Sequence, residues 1–140
     1  MTLSNIALTG HTSGLGLELT KHFQIDGFSR SNGYNINDLK KLINAVKDYD
    51  ILINNAYDDN QQYLLCKELW KIWKNNPNKK IINIGSHAKD FIKSDYGLNK
   101  NILSTFTSYC NLNGKCKVTC INPGYINNDS IKASDIAEII

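Results

Sequence analysis

Tyr96 and Lys100 stand four residues apart in a stretch, 96–111, that reads as a helix ended by Gly114, so their side chains share one helix face. An ammonium beside a phenol favours the phenolate. A tyrosine so placed can give a proton to a carbonyl oxygen as hydride arrives, or take one from an alcohol in the reverse direction. A second group of residues could hold a diphosphate-bearing ligand. Thr9-Gly10-His11-Thr12-Ser13-Gly14-Leu15-Gly16 lies between an apolar run and a helical pattern. Glycines there let the backbone turn sharply and approach a diphosphate, which would rest on the N-terminus of the following helix. Gly10, Thr12, Ser13, Gly14, Leu15 and Gly16 are therefore candidate dinucleotide contacts.

These groups need elements that hold them. Apolar runs at 4–9, 50–54, 80–85 and 117–122 read as buried strands, with a shorter strand at 25–30. Leu15, Leu19 and Phe23 mark a helix over 14–24, and Leu39, Leu42, Ile43 and Val46 mark another, capped by Asn37 or Asp38. Leu65, Leu69, Ile72 and Trp73 mark a third over about 60–75, and Ser134 caps a last short helix. Strands alternating with helices predict an α/β fold: a Rossmann-like, doubly wound parallel sheet of about six strands, forming one domain over 1–140.

Further motifs fall in a fixed order along this scaffold. Asn54-Asn55-Ala56 follows one strand, Ser86 the next, Tyr96-x-x-x-Lys100 opens a helix, and Asn122-Pro123-Gly124 follows the last strand. With the glycine-rich turn, this series resembles the short-chain dehydrogenase/reductase family, from Thr9 to about Ile139. The resemblance implies an oxidoreductase with Tyr96 as general acid/base, Lys100 also binding the nicotinamide ribose, and Ser86 hydrogen-bonding the reacting oxygen. It sets Asn60 near the family's asparagine that anchors a proton-relay water. Asn54, Asn55 and Ala56 would line the adenosine and ribose side. Pro123 and Gly124 lead to Ile126, whose backbone would meet the nicotinamide amide.

The end of the second strand bears on which nucleotide binds. NAD sites of this class carry an acidic residue there for the ribose 2′-OH. This chain has Ser29-Arg30-Ser31, and Arg30 is the single arginine among 16 basic residues. A guanidinium can grip a 2′-phosphate in bidentate fashion. Ser31 and Asn32 could add neutral donors, whereas Asp26 falls at the start of the strand. The expected cofactor is NADP(H) in preference to NAD(H).

The chain is unusually short for such a family. Few residues separate Arg30 from Ile36, so the helix before strand three is gone, and strand three shrinks to Tyr34-Asn35-Ile36 or vanishes. Tyr57 stands where the family has glycine, and Asn128 where it has threonine. The substrate lid is nearly deleted, and a site without one excludes water poorly. A neighbouring subunit could wall it. The family commonly pairs the helices at about 61–75 and 96–111, where Tyr63, Trp70, Phe106 and Tyr109 could form an interface. A homotetramer or homodimer is expected.

Composition bounds the alternatives. A net charge of +3 carried by scattered lysines argues against nucleic acid as the main partner. No run is long enough for a membrane span and 1–10 lacks a secretory pattern, so the expected location is the cytoplasm, or a host cytoplasm if the lysine, asparagine and isoleucine bias marks a virus. Cys66, Cys110, Cys116 and Cys120 include no CxxC pair and read as buried free thiols, with no metal expected. Three readings stay open. The first is an NADPH-dependent reductase of a small-molecule carbonyl or imine. The second is a non-catalytic dinucleotide-binding redox sensor or interaction module, favoured by the missing lid and opposed by the Ser86/Tyr96/Lys100 set. The third, a sugar-nucleotide epimerase-like enzyme, lacks the large carboxyl-terminal portion that would hold its substrate.

Overall fold

The computed structural model describes residues 5–90 and 92–123. Five strands, β1 (Ile6–Thr9), β2 (Asp26–Phe28), β3 (Ile51–Asn54), β4 (Lys80–Ile84) and β5 (Lys117–Ile121), form one parallel sheet in the order β2-β1-β3-β4-β5. Between them run α1 (Gly14–His22), α2 (Leu39–Val46), α3 (Gln61–Trp73) and α4 (Asp95–Asn113). The chain order switches direction at β1, where β2 lies on one side and β3 on the other. In open α/β sheets, ligands bind outside the carboxyl ends of strands at such a point.

Register explains why both faces of the sheet are buried. Ala7, Leu52, Ile81 and Val118 stand side by side across four strands and pack against Leu42 and Val46 of α2, Leu65, Leu69 and Trp73 of α3, and Leu103 and Cys110 of α4. Leu8, Ile53 and Ile82, one residue on, point to the opposite face, which Leu19 of α1 helps to cover. Each such side chain, fully buried, contributes about 1.5–3 kcal/mol of transfer free energy. One step further, the row turns polar: Asn54, Asn83 and Cys120 lie in register at the carboxyl edge. The apolar-to-polar change along the strands is where core gives way to site.

One expectation changes at the β2 side. The strand expected over 25–30 stops at Phe28, and Arg30–Asn32 is a turn of 3-10 helix. The cause is local polar chemistry: the Asn32 side chain accepts from the Ser29 amide at 2.8 Å and donates to the Gly27 carbonyl at 2.7 Å, competing with further pairing. Tyr34-Asn35-Ile36 forms no strand. Tyr34 packs edge-on against Phe28 with ring centroids 4.9 Å apart, and Ile36 is buried, so the segment plugs the core edge instead of extending the sheet.

Asp38 is the cap of α2, its carboxylate accepting from the Lys41 amide. Cys66, Cys110 and Cys116 are buried free thiols, whereas Cys120 is only half-buried. Trp70, expected on a partner-facing surface, is 5% exposed and packs inside the chain against Phe106 and Tyr109. Among the described residues no helix is long and apolar enough to cross a membrane. The expected helix after Ser134 lies outside the described residues.

Candidate active site

The carboxyl ends of β1, β3, β4 and β5 lead into the glycine-rich turn, Asn55-Ala56, Gly85-Ser86 and Asn122-Pro123 respectively. The first two segments touch. Thr9 Oγ1 accepts from the amides of Asn55 and Ala56 at 3.0 and 3.1 Å, and Asn55 Nδ2 donates to the Gly10 carbonyl at 3.0 Å. Gly10 has a left-handed φ of +70°, which the turn out of β1 requires. Gly16 lies so close to the Gly10 carbonyl that a Cβ would collide with its oxygen. The two glycines thereby bring the start of α1 against the end of β1.

This corner suits a dinucleotide. Ser13 caps α1 without a side-chain hydrogen bond, Thr12, Ser13 and Gly14 are exposed, and nothing lies within 4 Å of a Cβ built on Gly14. The first-turn amides are thus left to an incoming anion. The His11 ring lies against Gly27, and its Nδ1 is buried without a hydrogen-bond partner. Arg30 is exposed just past the carboxyl end of β2, beside the Ser29–Ser31 hydroxyl pair at 2.7 Å. Asp26 sits at the opposite end of that strand, where its carboxylate accepts from the Tyr49 hydroxyl at 2.5 Å. No acidic side chain of β2 therefore reaches the ribose corner.

On the β4–α4 side, Ser94 caps α4 by accepting from the Gly97 amide at 3.1 Å, which sets Tyr96 and Lys100 one turn apart at the helix start. Tyr96 is 41% exposed and meets the Tyr57 ring edge-on, with centroids 4.8 Å apart. Lys100 is 3% exposed, its Nζ lying 5.1 Å from the Tyr57 ring centroid and 5.4 Å from that of Tyr96. Burial pulls the Lys100 ammonium down to about 8, the Cys120 thiol opposing the shift. Ser86 is half-buried, and its Oγ accepts from the Ala88 amide at 3.0 Å, opening the 3-10 turn His87–Asp90. Asn101 Nδ2 ties that turn to α4 through the Lys89 carbonyl.

Two expected residues sit elsewhere. Asn60 is the exposed cap residue of α3 and makes no side-chain cap bond; it is not a partner of Lys100. The residue at Lys100 is Gln62, two positions on, whose Oε1 accepts from Nζ at 2.7 Å. Asn54 is fully buried and faces inward, donating to the Gln62 carbonyl and to Asn83 Oδ1, both at 2.9 Å. It braces the floor of the site, while Asn55 and Ala56 are the half-buried members of that motif. Pro123 closes the described chain, and Gly124, Ile126 and Asn128 lie outside the described residues.

Known proteins share the fold. No family model and no curated protein matches the sequence. Among solved structures, a short-chain dehydrogenase/reductase from Vibrio parahaemolyticus superposes at TM-score 0.69 and 18% identity, over 96% of this chain and 90% of that one. A short-chain dehydrogenase from Burkholderia cenocepacia in complex with NADP gives 0.72 at 16% identity, over 96% and 81%. The serine dehydrogenase of Escherichia coli gives 0.69 at 17%, over 96% and 88%. The chain has the fold of the short-chain dehydrogenases/reductases.

Proposed function

We propose that the chain is a member of the short-chain dehydrogenase/reductase family, a cytoplasmic NADP(H)-dependent oxidoreductase that reduces a carbonyl or oxidises the corresponding alcohol. The observation that carries this reading is the exposed Tyr96 phenol set over the buried Lys100 ammonium, on the strand edge that also bears the glycine-rich turn. The relative from Burkholderia cenocepacia holds NADP, which supports the nucleotide class.

Bound nicotinamide nucleotide would supply or accept the hydride. The α1 amides and the Thr12–Gly16 backbone hold its diphosphate, and Arg30 with Ser29 and Ser31 grips a 2′-phosphate. Asn55 and Ala56 line the adenosine and ribose side, with Pro123 on the nicotinamide side. Tyr96 donates its hydroxyl proton to the substrate oxygen during reduction and recovers it in the reverse direction. Lys100 stabilises the charge left on the phenol, and a Ser86 hydroxyl turned from the Ala88 amide would steady the same oxygen.

Copies of the chain would associate through the α3/α4 face. There Phe106 and Tyr109 pack against the buried Trp70, Tyr63 packs against Phe106, and Tyr109 and Leu112 are 51% and 85% exposed. Fluorescence titration with NADPH and NADH tests the reading. Micromolar NADPH binding with weaker NADH binding is expected, and no complex with either nucleotide would refute it.

A further inference from the structure

Gln62 is 2% exposed, lies in the first turn of α3, and belongs to none of the motifs that carry the resemblance. Its contacts permit one amide orientation. Nε2 donates to the Asn54 carbonyl at 2.8 Å and the Ile84 carbonyl at 2.9 Å, so Oε1 must face Lys100 Nζ, at 2.7 Å. Reversing the amide would set its oxygen against two carbonyl oxygens and its NH2 against an ammonium. The Ile84 carbonyl also accepts from Lys100 at 3.0 Å. Both hydrogen-bond partners of this buried cation are therefore neutral. Among the described residues Lys100 has no ion pair; the titratable groups facing it are Tyr57 from the β3–α3 loop, Tyr96 on its own helix, and Cys120 on β5, which Lys89 of the 3-10 turn also influences.

We propose that Gln62 is a positioning residue that holds the Lys100 ammonium beneath Tyr96 without neutralising it. This deepens, and rests on, the reading of Tyr96 and Lys100 as the proton-handling pair. A carboxylate at position 62 would bind the ammonium as firmly but would cancel the field it exerts on the phenol. An apolar residue would leave the field but remove the acceptor that anchors its source. A neutral amide, oriented by two backbone carbonyls, does neither. Because Ile84 is the last residue of β4 and precedes Gly85-Ser86, the same contact also fixes the lysine relative to Ser86.

The test follows the Lys100 side chain directly, in the nucleotide-free protein, by NMR of isotopically labelled lysine, with the resonance assigned by its loss in Lys100→Met. Gln62→Met removes the acceptor, so the Lys100 titration midpoint should fall from about 8 by about one pH unit. Gln62→Glu supplies a counter-charge, so the midpoint should rise by a similar amount or more. Shifts of opposite sign cannot come from a general loosening of the fold, which circular dichroism of both variants monitors. Midpoints unchanged in both variants, or moved in the same direction, overturn the proposal. NADPH titration of the wild-type protein runs alongside: absence of a complex there counts against the proposed function, while the lysine shifts separately judge Gln62.

Discussion

Lys100 donates to Gln62 at 2.7 Å, and this bond joins the helix that carries the candidate acid to the helix that follows the Asn54-Asn55-Ala56 segment. The site is thus assembled from α3 and α4 together, against the ends of β3 and β4. Its chemistry depends on keeping a cation buried among neutral partners.

That burial makes stability pH-dependent. Lys100 releases its proton near 8 in the folded chain but near 10.5 when unfolded. Between these values the unfolded chain binds more protons, so stability rises with pH across the window. Below about 8 the full penalty, roughly 3 kcal/mol, is present. Urea denaturation of the wild type and Lys100→Met from pH 7 to 10.5 checks this. The wild type should gain on the variant as pH rises, and parallel curves would contradict the claim. Taking the difference removes other groups, such as Tyr49, which burial and its bond to Asp26 push up to about 12.

Tyr96→Phe separates catalysis from binding. The ring contact with Tyr57 survives while the exchangeable proton is lost. NADPH affinity should stay within about threefold, and turnover of carbonyl substrates should fall by about 100-fold or more. Consumption of NADPH followed by its absorbance provides the measurement. Unchanged turnover would remove Tyr96 from the chemistry.

Arg30→Asp tests the nucleotide preference. Arg30 is exposed and follows β2 at its carboxyl end, whereas Asp26 is engaged by Tyr49 at the other. Replacing a bidentate donor with a carboxylate should weaken NADPH by about 100-fold and NADH by much less. Equal losses for both nucleotides would contradict the assignment.

A buried polar network behind the site carries stability instead of chemistry. Asn83 accepts from Asn54 and donates to Cys66 Sγ at 3.3 Å and Thr107 Oγ1 at 3.2 Å. Asn83→Leu leaves an Asn54 donor stranded, and should lower unfolding free energy by about 1–3 kcal/mol in urea titrations without changing NADPH affinity. An unchanged midpoint would mean that the network contributes nothing.

Much of this architecture was legible because the parallel strands are apolar on both faces. Runs such as Ile51–Asn54 and Lys80–Ile84 declare themselves without context, and the motif residues fall where those runs end. The short edge was not legible. Ser29 and Arg30 read as strand continuation until the Asn32 side chain is seen to capture the backbone at Gly27 and Ser29. Gln62 was missed for another reason. A glutamine near a helix start resembles any solvated polar residue, and only the convergence of Asn54, Ile84 and Lys100 around it shows that it is buried and fully used. Asn60 drew attention through residue type, yet it caps the helix two residues from the position that meets the lysine.

The central claim is that the Tyr96 phenol and the Lys100 ammonium face a nicotinamide ring at the carboxyl edge of the sheet. A crystal structure of the chain with NADPH tests it most directly. The expected result has the diphosphate at the N-terminus of α1 and the nicotinamide beside Tyr96. A complex in which that phenol points away from the ring would contradict the claim.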